Sequence, residues 1–323
     1  MSKAEQSHVA VPLSKFYPDV VLCCDIYLLI NQKFIKYKNT GEVISAAKYD
    51  QFLSSDIQEI YILIKDIEIF MEWLKTKKEE SVQETIQKVG VENTELALAR
   101  EEMKETVYQV FAGKKMDAAL VEHLQNNVES FINKAKNLDE SKVVLAKLTK
   151  RSQTIADHSV NTANLSIYLA MVLGHGEPEK LRTIYMSALL HDYGKVKIPD
   201  NVLENPQSNL YKQAMEFHPI KGASAIREMS FINSEVASIV EQHHEQFNGK
   251  GYPHGLKGEE ISVFSQLISL ANIFDNSCTE NSQKSEKEMF KMAIKVIEYD
   301  RGKNFNPEMV ERCTDGLKLV HIL

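Results

Sequence analysis

Cysteine is scarce. Only Cys23, Cys24, Cys278 and Cys313 occur in 323 residues, and none stands in a Cys-x-x-Cys pair. That gives no support to a zinc ribbon or a thioredoxin-type redox motif. The adjacent Cys23 and Cys24 read as small buried apolar residues of a reducing compartment. Positive charge is also short: 38 Lys and Arg stand against 45 Asp and Glu, a formal net charge of -7. Such a chain has no global field for polyanions, so DNA binding is not expected and any phosphate must be attracted locally. Long apolar runs are missing as well. The longest, Val20 to Ile30, is broken by Asp25 and is far too short to cross a bilayer. The first six residues hold no apolar signal-peptide core. A soluble, cytoplasmic protein with no membrane partner is expected.

What is present falls into three parts. Residues 1–80 mix periods and predict a small α+β domain. Strands are expected over Val20–Ile30 and Lys33–Tyr37, parted by the turn Asn31-Gln32, with a second turn at Asn39-Thr40-Gly41. Ser45–Leu53 predicts a helix, Glu59–Ile64 a strand and Asp66–Lys75 a helix. No clustered His or Asp and no Gly-rich phosphate loop lies here, so a regulatory or partner-binding role is expected. Residues 81–140 predict a helical linker. Ala97, Leu98, Met103, Val107, Val110 and Phe111 recur at helical spacing, as do Leu120, Leu124, Val128, Phe131 and Ile132, with a break at Ala112-Gly113-Lys114-Lys115. Such helices connect domains or support a homodimer. Residues 141–323 are helical nearly throughout. The candidates are Ser141–Leu173, Pro178–His191, Leu210–Met229, Ser234–His244, Ser262–Asn276, Lys287–Asp300 and a last helix after Pro307.

The chemistry gathers in this last part. Five of the ten histidines, His158, His191, His218, His243 and His244, fall at or near expected helix ends, together with Asp192 and Asp275. The helix before His191-Asp192 is apolar (Leu181, Ile184, Tyr185, Ala188, Leu189, Leu190) and must be buried. It would carry a His and an Asp into the interior, where an unpaired charge is costly. A cation removes that cost, and a helix C-terminus favours one. The turn Tyr193-Gly194-Lys195 then brings a lysine to the same end. His243-His244 end another apolar helix, before the loop Asn248-Gly249-Lys250-Gly251-Tyr252-Pro253, and Asp275 ends the apolar run Leu267 to Phe274. Imidazoles and carboxylates without a thiolate suit iron, manganese or zinc. A single such residue is more often a satisfied core group; seven together point to metal.

These segments, in this order, resemble the HD-GYP family of the HD phosphohydrolase superfamily over about Arg151 to Leu323. The likeness runs through His158-Ser159-Val160, Ala188 to Lys195, Ile198-Pro199-Asp200, His218-Pro219 and His243-His244-Glu245. It continues through the loop Gly249 to Pro253, Ala271 to Asp275 and Phe305-Asn306-Pro307-Glu308. The resemblance implies an all-helical catalytic bundle that hydrolyses cyclic di-GMP with a hydroxide held at two divalent metal ions, iron first and manganese as the alternative. It implies that His158, His191, Asp192 and Asp275 hold one metal. It assigns His218, His243 and His244 to the other, with Asp192 bridging. Lys195 would hold a phosphate oxygen, and Gly251, Tyr252, Pro253 and Lys284 would shape the substrate pocket.

Departures from the family pattern accompany this likeness. Thr154 stands where relatives carry Tyr or Glu, which predicts two metals and not three. Asn281, Gln246 and His254 stand where Arg is common, leaving Lys284 as the one basic residue of the segment from Asn276 to Lys284, and Arg and Lys are not equivalent at phosphate. Three readings stay open: a cyclic dinucleotide phosphodiesterase, a metal-loaded module that senses ligand or binds signalling proteins, or an HD hydrolase of another nucleotide or phosphoester.

Overall fold

The computed structural model describes residues 7–320 apart from 56, 113–115, 137–141, 150, 151, 153, 204 and 230. The expected break at 113–115 and the expected boundary at 140 lie outside the described residues.

The architecture is mainly α, with a small α+β unit at the N-terminal side. Four strands, β1 (His8–Pro12), β2 (Ile26–Ile30), β3 (Lys33–Lys38) and β4 (Glu59–Leu63), form an antiparallel sheet of order β1-β4-β2-β3. Helix α1 (Ala46–Ser54) connects β3 to β4. Asn31 and Gln32 take positive φ, 49° and 61°, as a two-residue hairpin turn requires. The expected strand over Val20–Ile30 begins only at Ile26, because Asp19 turns with positive φ and the chain before β2 keeps only an isolated bridge from Val21 to Val43. Strand β1 is not among the expected strands. It is short and ends on a proline, which an edge strand tolerates, and its pairing with the distant β4 creates it.

The helices are α2 (Ile67–Val89), α3 (Thr94–Ala112), α4 (Ala118–Lys136), α5 (Val143–Lys147), α6 (Ile155–Val172), α7 (Pro178–Leu190), α8 (Asp200–Leu203), α9 (Asn209–Arg227), α10 (Ser234–Gln242), α11 (Val263–Glu280), α12 (Glu286–Tyr299) and α13 (Pro307–Leu319). Helix α6 is the axis of the bundle: every residue from Ser159 to Met171 is buried. It packs against α3, α5, α7, α11 and α13. Each fully buried Leu or Ile on it, such as Leu165, Ile167 and Leu169, contributes roughly 1.5–3 kcal/mol. The single helix expected over Ser141–Leu173 is two, α5 and α6 (Ser141 lies outside the described residues). Thr154 has an extended backbone and its side chain accepts the Asp157 N–H at 3.2 Å, so it caps a new helix. Helices α3 and α4 are layered on the bundle, α3 against α6 and α4 against α7. Their inward stripe (Ala97, Met103, Val107, Phe111, Leu124, Phe131) is buried, while Leu98 faces out. No described helix is long and apolar enough to cross a membrane.

Candidate metal centre

Three helices meet around one point: α7 and α10 end there, and α9 carries a proline within it. The last carbonyls of an α-helix have no intrahelical partner, and histidines fill this gap in a repeated way. His191 follows α7 and its Nδ1 donates to Ala188 O at 2.7 Å. His243 follows α10 and its Nδ1 donates to Val240 O at 2.6 Å. His218 lies inside α9, but the next residue is Pro219. A proline has no N–H, so the carbonyl four residues back, Met215 O, loses its helical donor. His218 Nδ1 supplies one at 2.7 Å.

These bonds fix the tautomers. A carbonyl only accepts, so each Nδ1 carries the proton and each neutral ring leaves a lone pair at Nε2. The same holds for His158, whose Nδ1 lies 2.7 Å from Asp275 Oδ2. The Nε2 atoms then meet in pairs: His158 and His191 at 3.3 Å, His218 and His243 at 3.3 Å. With all four rings neutral, no proton lies between the members of either pair.

Asp192 stands between the pairs. Its Oδ2 is 3.9 Å from His158 Nε2 and 3.5 Å from His191 Nε2. Its Oδ1 is 3.2 Å from His218 Nε2 and 3.9 Å from His243 Nε2, and receives no hydrogen bond although buried. His244 completes the second side, its ring 5.0 Å from that of His218. The donor atoms form two groups, Asp192 with His218, His243 and His244, and Asp192 with His158 and His191. His191, His218 and His243 are 0% exposed and Asp192 3%. Converging lone pairs and an unsatisfied carboxylate oxygen in a dry interior are the signature of a cation site, and the donor set suits iron or manganese.

Burial favours the neutral form of three of the rings. Burial pushes His191 down to about 4 and holds His243 and His244 well below the usual histidine value. Burial would raise Asp192, but Lys195, His191 and His218 outweigh it and hold the carboxylate well below its ordinary value. His158 moves the other way: burial lowers it, while Asp275 and then Asp192 raise it further.

Glycines let the parts meet. A Cβ on Gly194 would lie 1.9 Å from His218 O, so the turn carrying Asp192 and Lys195 crosses α9 only with glycine there. A Cβ on Gly251 would lie 2.5 Å from His244 O, which lets the loop fold back onto the paired histidines. Tyr252 then stacks on His244 at 4.8 Å, followed by a cis bond to Pro253. Glu245 anchors this loop by accepting His254 N at 2.7 Å and Leu256 N at 2.9 Å. Lys195 Nζ donates to Asp192 Oδ2 at 2.8 Å.

Two expected site residues are not brought in. Lys284 is exposed in the turn between α11 and α12, with its charge near Glu288. Asp275 lies behind the His158 ring and joins neither donor group. Thr154 points to α3, accepting from Tyr108 at 2.6 Å and donating to Asp157 at 2.9 Å. Two residues around the site were not singled out from the sequence. Ser152 and Asn161 both reach Asp275, and their polarity beside an apolar helix is the signal that marks them.

A family model described as HD domain matches residues 135–309. The chain belongs to the HD-domain family. The loop from Gly249 to Pro253 puts it in the HD-GYP branch. Among curated relatives, the cyclic di-GMP phosphodiesterase response regulator RpfG of Xanthomonas campestris is 34% identical over 46% of this chain and 39% of its own length. A cyclic di-GMP phosphodiesterase of Thermotoga maritima is 35% identical over 40% of this chain and 35% of its own. A 3'3'-cGAMP-specific phosphodiesterase of Vibrio cholerae is 32% identical over 38% of this chain and 29% of its own. The chain thus spans well under half the length of these relatives. A solved structure of an HDG"Y"P protein from Bdellovibrio bacteriovorus, 24% identical, covers 96% of this chain and 99% of its own with a TM-score of 0.64, which shows a shared fold.

Proposed function

We propose that this chain is a metal-dependent phosphodiesterase for a cyclic dinucleotide, with cyclic di-GMP as the first candidate. The observation that carries the reading is the pairing of Nε2 lone pairs on both sides of Asp192. His158 and His191 would hold one divalent cation and His218, His243 and His244 a second, with Asp192 shared. Iron is the first choice and manganese its alternative. Such cations, when bound, supply Lewis-acid stabilisation of the phosphodiester and acidify a water for attack on phosphorus. Curated relatives named for cyclic di-GMP or cGAMP support this class of substrate.

The chain's own residues supply placement. The Lys195 ammonium, 28% exposed and 2.8 Å from Asp192 Oδ2, would hold a non-bridging phosphate oxygen. Tyr252, stacked on His244, walls the pocket with Gly251 and Pro253. Burial, then the charge of Asp192, keeps its phenol protonated, so it remains a donor.

A second reading, a metal-loaded sensor or scaffold for signalling partners, has an observation of its own. Where basic residues were expected, His254 is spent on Glu241 at 3.1 Å, a carboxylate it shares with Arg227, and Lys284 stands apart. The two readings separate in one assay. The chain loaded with iron or manganese is incubated with cyclic di-GMP and, separately, with cGAMP. Linear product that is absent from His191→Ala supports hydrolysis. Intact substrates in a sample holding two metal equivalents would leave the scaffold.

A further inference from the structure

A cavity of about 530 Å³ opens where the α+β unit meets the helices. Tyr17, Pro18 and Val20, from the chain between β1 and β2, line one side, and α2 lines the other with Lys77, Glu80 and Lys88. Lys104 of α3 and Asp157 of α6, with side chains 13% and 4% exposed, are its buried charges. The volume is that of a small-molecule site, and such sites favour junctions between units of a fold. None of these residues belongs to either metal donor group.

The lining has donors to spare rather than acceptors. Glu80 accepts from Lys77 at 2.6 Å, and Asp157 accepts from Lys104 at 2.6 Å and from the Thr154 hydroxyl at 2.9 Å. Glu84, also in the wall, is engaged as well. An ammonium carries three hydrogens, so Lys77 and Lys104 each keep hydrogens beyond the one placed on these carboxylates. Lys88 pairs with Glu286, which is not part of the lining, at 3.1 Å. The pairs of Lys77 and Lys88 are part-exposed, and such pairs hold weakly enough to exchange for a ligand anion. The Tyr17 hydroxyl has no hydrogen-bond partner among the described residues. Burial, then Glu105 and Glu101, keep that phenol protonated and hence a donor.

We infer that this cavity is a second ligand site, for a small organic phosphate monoester: Lys104, Tyr17 and the lysines of α2 hold the phosphate, and its apolar body lies along Pro18 and Val20. A phosphate monoester carries about -1.5 to -2 charges at neutral pH and three strong acceptor oxygens, so it answers clustered donors better than a carboxylate does. The formal charge of -7 over the whole chain does not oppose it, because the attraction acts within the cavity and distant charges are screened. The inference does not depend on the metal reading.

The test is isothermal titration of the full chain with phenylphosphonate, an unhydrolysable stand-in for the monoester, and with benzoate as the carboxylate control. Both are run on Mn2+-loaded and on chelator-treated protein. Phenylphosphonate should fill one equivalent of this site in either sample, roughly 10-fold or more tighter than benzoate. Tyr17→Phe removes one hydrogen bond to a charged group and should weaken that binding by roughly 10-fold or more. Lys104→Met should weaken it by roughly 10–100-fold. That variant leaves Asp157 without its lysine, so melting of both variants is recorded, and Tyr17→Phe, which keeps the ring, carries the test if Lys104→Met does not fold. Three results would overturn the inference. Phenylphosphonate binding could be absent, or confined to the Mn2+-loaded sample, which would place it at the metal centre. Benzoate could bind as tightly. Tyr17→Phe could retain the parent affinity.

Discussion

Two clusters of buried charge meet on helix α6, at the neighbouring residues Asp157 and His158, and they are built on opposite terms. At the start of the helix, Asp157 pairs with Lys104 at 2.6 Å, accepts the Thr154 hydroxyl at 2.9 Å, and lies 4.0 Å from Arg100. Thr154 in turn accepts from Tyr108 at 2.6 Å. Each of these donors meets an acceptor, and the positive charges sit against negative ones. Around His191 and Asp192 the same kind of residues are buried, yet lone pair faces lone pair and Asp192 Oδ1 accepts nothing. The first cluster is complete as protein; the second needs a cation to be complete. Burial of charge is therefore not what marks the candidate site. Unmatched acceptors mark it, because an unsatisfied buried acceptor costs free energy that selection for stability alone would remove.

The contrast is sharpest at Asp192, the carboxylate shared by both donor groups. Asp192→Asn should reduce hydrolysis to background. Mn2+ at about 1,000 times its dissociation constant should stabilise the parent by about 4 kcal/mol, and thermal melting should show this gain missing from the variant. At the closed cluster the opposite pattern is expected. Asp157→Ala leaves Lys104 and Arg100 without their acid and should cost about 3 kcal/mol in urea unfolding, the low end for a broken buried pair since Lys104 keeps some contact with water. Its increment of stability from Mn2+ should remain. A variant that lost both would join the two clusters into one unit.

Smaller changes refine the same division. Glu245→Gln weakens the acceptor for two backbone N–H groups and should cost about 1–2 kcal/mol. It should raise KM more than it lowers kcat, because Glu245 anchors the loop beside the site and touches no donor group. The least effect is expected at Asp50, beside the start of α6. Burial pushes its carboxyl up to about 7. A carboxyl raised in the folded state is fully stabilising below its unfolded pKa of about 4 and loses that contribution as pH rises through its folded value. Asp50→Asn should flatten this decline, measured as the difference between urea midpoints at pH 5 and pH 8. Asp157 has the reverse sign. Burial raises it, but Lys104 and Arg100 outweigh burial and lower it, so its contribution is present above about pH 4 and lost on acidification.

Much of the second cluster was legible in the chain. An apolar helix running into His191-Asp192, and another into His243-His244, forces imidazoles to buried helix ends whatever the rest of the fold does. His218-Pro219 held a further local signal, since the proline strips Met215 O of its donor and the histidine beside it supplies one. The closed cluster was not legible. Arg100 and Asp157 lie far apart in sequence and look like ordinary surface charges of two helices. Thr154 read as a residue within one long helix, and only its extended backbone shows it to be the cap of α6. Strand β1 escaped for the same reason: its partner is β4, some fifty residues on, and nothing within His8–Pro12 announces it.

The sequence by itself determined which residues would be buried with lone pairs to offer, because helical periodicity and chain termination are local properties. It also determined the family, through motifs whose order survives any detail of packing. Only the tertiary structure decided which atom of each residue faces inward. His158 turns Nε2 towards His191 and Nδ1 towards Asp275. That choice depends on Asn161, Ser152 and Arg100 arriving from three places in the chain, and a side-chain rotation set by distant partners leaves no trace in local pattern.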